Sequence, residues 1–179
     1  MGKISPSLEK TLSAAKESTT LRIHYPEATV SEAGTNVTIE ASKPPPTFSI
    51  STTALKSAAP GTKYVVVGID LDAPFPSFSF MSPILHGVQI DLVAGDADGD
   101  GFAPLQGPAE WVVPYIGPGP PKPSAAHHYV FMVFEQPQGI DAAKVKVGMM
   151  ARMRFDEEGY EKKIGLGEVI AGNYFLTRA

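Results

Sequence analysis

Alternation of apolar and polar positions dominates the chain from residue 21 onward. Leu21, Ile23 and Tyr25 stand two apart, as do Val37 with Ile39 and Phe48 with Ile50 behind the proline run 44–46, so three short half-buried strands are predicted. KYVVVGIDLD (63–72), ILHGVQIDLV (84–93) and HHYVFMVFEQ (127–136) are apolar on both faces, the pattern of central strands covered from both sides, with the second lying beside the first. Helical spacing appears at Leu8, Leu12 and Ala15 behind a capping Ser7, and again at Val145, Met149 and Met153 within 141–154. The stretch 95–119 is rich in Gly, Pro and Asp and reads as a long surface loop carrying one short strand at 111–114. Strands come first and helices late, with no βαβ alternation and no internal repeat. That order predicts one mostly β or α+β domain over 1–179, with central antiparallel sheets packed in a sandwich-like way and helices at the periphery.

Strand parity also sorts the polar residues. Residues two apart share a face, which groups Asp70 with Asp72, His127 with Tyr129, and His86 with Val88, Ile90 and Leu92, while His128 points the other way. Two carboxylates at the rim of a buried strand need partners, and histidine is the natural one: a carboxylate favours the imidazolium and orients it, giving a donor spot for an oxyanion. His86 reads equally as a core histidine or as the floor of a pocket. In the loop 117–121, GPGPP, the prolines lack an N–H, so Gly117 and Gly119 are left as donors with room for a ligand to approach.

Together these residues resemble the phosphatidylethanolamine-binding, or Raf-kinase-inhibitor-like, protein family. Asp70-Leu71-Asp72-Ala73-Pro74 is similar to its Asp-Pro-Asp-Ala-Pro motif, His86 to a histidine on the next strand, and the 117–121 loop followed by His127-His128-Tyr129-Val130 to Gly-x-Gly-Pro-Pro, a spacer and His-Arg-Tyr-Val. The resemblance runs on through FMVFEQP to GLGEVIAGNYF, covering most of the chain after about residue 60. It implies that family's fold with a small ligand pocket for phosphate, a phospholipid headgroup or a carboxylate. The ligand-binding residues it implies are Asp70, Asp72, Pro74, His86, Gly119, Pro120, His127 and Tyr129, with Phe175 near the mouth. It also implies a possible protein partner such as a kinase or protease. Three positions depart from the pattern: Leu71 replaces a proline, Gly87 an aromatic and His128 an arginine. A missing ring at position 87 would enlarge the cavity if that position lines it. The segment 75–81 carries three phenylalanines and a methionine where family members usually carry charge, giving either an apolar rim or rings folded into the core.

A second reading of the same residues is a cofactor-free enzyme, in which His86, His127 and Asp70 are the catalytic groups. They would move protons on an apolar, oxygenated metabolite in an isomerisation, dehydration or cyclisation. Composition narrows the field further. The 43% hydrophobic and 19% charged content is that of an ordinary globular protein, and the absence of cysteine excludes disulfides and thiol catalysis. A net charge of −4 with scattered lysines and arginines argues against nucleic acid. No stretch is long and apolar enough to span a bilayer and no signal peptide is visible, so a cytoplasmic protein without a transmembrane segment is expected. Gly2 stands where an N-myristoyl group would attach, but Lys3 and the lack of a second anchor argue against it. Asp96-Ala97-Asp98-Gly99-Asp100-Gly101 opens like a calcium loop, yet Gly107 occupies the position of the bidentate Glu. Zinc would have to come from His86, His127 and an aspartate; no metal or other cofactor is expected. No Gly-x-Ser-x-Gly elbow or phosphate loop is present, and His24 is read as structural.

Overall fold

The computed structural model describes residues 4–56, 58–59 and 61–179. Gly2 lies outside them. Among the described residues nine strands form one sheet in the order β2-β1-β4-β7-β6-β5-β8-β9-β3, where β1 is Leu21–Tyr25, β2 Ala28–Val30, β3 Thr35–Asn36, β4 Thr47–Ser51, β5 Lys63–Asp70, β6 Ile84–Ala94, β7 Phe102–Gln106, β8 His127–Glu135 and β9 Val169–Thr177. All pairings are antiparallel except β3 with β9. The sheet curls back on itself. The Asn173 side chain on β9 donates to the Leu21 carbonyl on β1 at 2.8 Å, although the two strands lie far apart in the strand order.

The expected two-faced burial is what allows the curl. On one face Val65, Val67 and Ile69 of β5 and Val130, Met132 and Phe134 of β8 pack beneath the helices α1 (Pro6–Glu17), α2 (Ala142–Val145) and α3 (Glu157–Ile164). On the other, Tyr64, Val66, Phe131, Val133 and Phe175 meet Leu21, Ile23, Phe48 and Ile50 from the outer strands, giving the sandwich-like core.

Several local expectations are corrected. The α1 cap is Ser5, whose hydroxyl accepts from the Leu8 N–H at 3.2 Å because Pro6 starts the helix; Ser7 lies inside it and donates to Glu161 at 3.0 Å. Val37 and Ile39 are not a strand: the pairing partners are Ala28–Val30 and Thr35–Asn36, and the Val37 N–H only closes onto the Leu176 carbonyl at 2.9 Å. The stretch 95–119 holds a full strand, β7, between β4 and β6, whereas 111–114 contributes a single bridge from Val113 to Val88. In 141–154, Val145 ends the short α2, a 3-10 turn covers Met149–Arg152, and Met153 lies beyond it.

Candidate functional site

Three strand ends meet at one corner. Asp70, closing β5, pairs with Ile84 at the start of β6 on one side and with Tyr129 near the start of β8 on the other. The β5/β6 register runs Gly68↔Gly87 and then Ile69↔Leu85, so His86 is an extra residue in a bulge. The bulge overturns the expected sharing of a face by His86 with Val88 and Ile90, and a second register shift, between Tyr64 and Val66, places the expected Leu92 in the other core. Val88, Ile90 and Leu85 pack under the helices, while His86 turns to the opposite side and meets the Tyr129 ring edge-on, 5.1 Å between centroids.

His86 and His127 line one cavity of about 280 Å³ together with Asp70, Pro74, Gly119 and Tyr129, six of the expected site residues. Ala73, Met81, Ile84, Ile116, Gly117 and Pro121 complete the wall. The expected Asp72, Pro120 and Phe175 do not line it. Phe175 is fully buried and stacks behind Tyr129 at 5.3 Å, so it backs the cavity and is not at its mouth. Asp72 does not share a face with Asp70, because the chain bends where β5 ends. Its N–H donates to Asp70 Oδ1, and its carboxylate accepts both the backbone N–H and the Nδ1–H of His128 at 2.7 Å. Burial alone would raise the Asp72 pKa, but the His128 bonds hold it below the usual value. His128 thus takes its place by clamping the 70–74 turn from behind.

The surroundings of the two cavity histidines bias them in opposite directions. His86 Nδ1 lies 2.6 Å from the Ile116 carbonyl, which can only accept, so the proton is on Nδ1 and Nε2 carries the lone pair. Burial lowers its pKa despite the pull of Ile116 and Asp70. His127, 1% exposed, faces Asp70 Oδ2 through Nδ1 at 2.9 Å and Ser124 Oγ through Nε2 at 3.0 Å. Burial would lower its pKa too, but the hydrogen bond and charge of Asp70, with Asp72 and the Pro74 carbonyl, outweigh it and raise the value. Tyr129 is pushed well up by burial and then by Asp70, so its hydroxyl keeps its proton. The two rings are thus pulled in opposite directions: burial favours the neutral form of His86, and Asp70 favours the protonated form of His127.

Position 87 does not line the cavity. A Cβ there would lie 2.7 Å from Trp111 Cε3 and 3.2 Å from the Tyr115 Cα, so the Trp111 indole occupies the space that a ring at 87 would take. Replacing Gly87 by Ala should cost about 1–3 kcal/mol through overpacking; a urea midpoint equal to that of the native protein would refute this packing. A Cβ at Gly117 would press on the Lys43 backbone at 3.0 Å, whereas Gly119 has open space before it.

The segment after Pro74 leaves Phe78 and Phe80 64% and 56% exposed with rings 5.0 Å apart, so these rings do not return to the core. The acidic turn is engaged internally: Asp98 caps the Asp100 and Phe102 N–H groups, and Asp98 and Asp100 hold Arg22. Among the described residues no cluster of three or more His, Asp or Glu is arranged to hold a metal, and no helix is long and apolar enough to cross a membrane. His24 bonds Thr29 and Ser49 within the outer strands. Ser124, bonded to His127, carried no signal in the sequence, because it precedes the histidine in an irregular proline loop.

The bulged histidine, the Asp70–His127 pair and the glycine-proline loop sit on a sheet whose sequence matches one family across its length. Residues 12–175 match the family described as phosphatidylethanolamine-binding protein, and the chain belongs to it. Among relatives, a Talaromyces stipitatus protein named phomoidride biosynthesis cluster protein N is 34% identical over 123 residues, 64% of this chain and 59% of that protein. The fold is similar to that of a carboxypeptidase Y inhibitor solved in complex with its cognate proteinase, with TM-score 0.73, 21% identity and 96% of each chain covered. It is also similar to a Plasmodium vivax phosphatidylethanolamine-binding protein, with TM-score 0.61, 15% identity and 90% and 86% covered.

Proposed function

We propose that the chain is a cofactor-free acid–base catalyst that admits the oxygenated, anionic end of a partly hydrophobic small molecule and moves a proton on it, as in an isomerisation, dehydration or cyclisation. One observation carries this reading: His86 and His127 line the same cavity with their protonation pushed in opposite directions, which is how a base and an acid are set to work side by side. Nε2 of His86 takes the proton, and His127, held by Asp70, supplies positive charge and a proton to the oxygen. A cavity of about 280 Å³ has room for a carboxylate, phosphate or small ring but not for a whole amphiphile. The apolar remainder fits the exposed Phe78 and Phe80 beside the cavity wall residue Met81. The name of the Talaromyces relative supports a place in small-molecule biosynthesis.

The test is hydrogen exchange. Enolisable carboxylic acids and β-keto acids incubated with the protein in D2O should exchange at the position next to the carbonyl, at a rate that saturates with substrate, as read by NMR. A panel that neither exchanges nor binds counts against both catalysis and ligand binding. Binding without exchange would favour the second reading, a ligand-binding module that modulates a protein partner such as a kinase or protease. That reading is supported by the fold likeness to a proteinase inhibitor.

A further inference from the structure

We infer that Ser124, His127 and Asp70 form a nucleophilic triad able to take up an acyl group from an ester or thioester, a chemistry distinct from proton transfer in the cavity. The imidazole of His127 is bonded at both ends, to Asp70 Oδ2 at 2.9 Å through Nδ1 and to Ser124 Oγ at 3.0 Å through Nε2. This is the order of groups by which a carboxylate fixes an imidazole and the imidazole activates a hydroxyl. Asp70 and His127 are 3% and 1% exposed, whereas Ser124 is only half-buried, so the nucleophile end alone is within reach of solvent. No Gly-x-Ser-x-Gly elbow is needed; the loop before β8, in which Pro121 and Pro123 precede the serine, brings the hydroxyl to the ring.

The Ser124 hydroxyl also lies 2.8 Å from the Ala125 carbonyl, and that second contact explains its resting state. With His127 doubly protonated, Oγ accepts from Nε2–H and donates to Ala125. With His127 neutral, the Oγ proton turns to Nε2 and the oxygen becomes a nucleophile. In the acylation step Oγ bonds to the carbonyl carbon, its proton passes to Nε2, the bond from carbon to the leaving oxygen or sulfur breaks, and that atom leaves with the proton from Nε2. Water repeats the sequence and releases the acid. A concavity of about 660 Å³ lined by Ala125 and Ala126, the residues that follow Ser124, and by Thr38, Leu176 and Arg178 lies on this side of the loop, although Ser124 itself is not part of its lining. The Arg178 guanidinium suits an acyl group that itself carries a carboxylate.

Intact-mass spectrometry after exposure to an alkyl fluorophosphonate tests the proposal. The native protein is expected to gain one adduct, mapped to Ser124, at a rate that rises with pH as His127 loses its second proton. The groups that face that ring are Asp70, Asp72, His86, Tyr129 and Ser124. S124A should lose the adduct, and H127Q should slow it by about 100-fold or more. Because the chain lacks cysteine, S124C supplies a single thiol whose alkylation by iodoacetamide at pH 6.5 should run at least about tenfold faster than that of S13C, an exposed control on α1. No adduct on the native protein, equal labelling of S124A, or equal alkylation of S124C and S13C overturns the triad. The cavity chemistry is judged separately, by exchange in D2O on the native protein, so the two readings fail independently.

Discussion

Replacing Glu157 by Gln is expected to stabilise the protein at pH 8 by roughly 2–4 kcal/mol. Glu157 opens α3 where it meets the start of α1, is 4% exposed, and neither of its oxygens nor Glu161 Oε1 has a well-aligned donor among the described residues. Burial pushes its pKa up to about 8, with Glu161 and Glu158 adding to the effect and the Ser5 hydroxyl opposing it. The folded pKa therefore lies above the unfolded value near 4.5, so above that pH the native state holds a proton that the unfolded chain has released. Stability should fall as pH rises from about 4.5 to 8 and level off beyond it. The amide introduced by Glu157→Gln cannot ionise, which removes that part of the decline. Urea titrations of both proteins at pH 5 and pH 8 measure it; parallel pH dependences would show that Glu157 does not hold its proton. The segment just before α3 is tied to the cavity wall, where the Arg154 N–H donates to the carbonyl of Met81 and the Phe155 N–H to that of Pro83, both at 2.8 Å.

The second large effect concerns exchange chemistry. His86→Ala and Asp70→Asn should each lower the rate of substrate exchange by about two to four orders of magnitude with the fold retained, the usual size of an acid–base contribution. The two variants should differ in pH profile. In the native protein the rate needs His86 neutral, which fails at acid pH below its lowered pKa, and His127 protonated, which fails at alkaline pH above its raised pKa. The optimum therefore straddles the ordinary histidine value near 6.5. The Asp70→Asn side chain has no charge to hold the second proton on His127, so the alkaline limb should move to lower pH while the acid limb stays. An alkaline limb unmoved by Asp70→Asn would remove His127 as the acid.

Parity served well where strands are regular. In β8, Tyr129, Phe131 and Val133 face one core and Val130, Met132 and Phe134 the other, as the alternation of HHYVFMVFEQ requires. It failed at His86, because a bulge changes the face without changing the composition, and beyond Asp70, because a chain that leaves the strand no longer alternates. The strand β7 was hidden by its own content: FAPLQ carries Pro104 and follows a Gly/Asp-rich turn. The family motif made most of the cavity legible, but not the filling of position 87 by Trp111 from a distant loop, nor the bond between Ser124 and His127. Both depend on contacts that no local pattern encodes.

The residue that fills the gap at position 87 is the chain's single tryptophan. Trp111 is 6% exposed, packs on Gly87 immediately after the bulged His86, and lies 5.4 Å from the Tyr115 ring in the loop that runs on to Ile116. Its emission therefore arises from one place, the back of the cavity wall, with no second indole to dilute it. A molecule that displaces the 115–119 loop or repositions the bulge changes the polarity around that indole. The fold thus contains an optical reporter at the corner where its chemistry is proposed, and occupancy can be followed without a label or a known product.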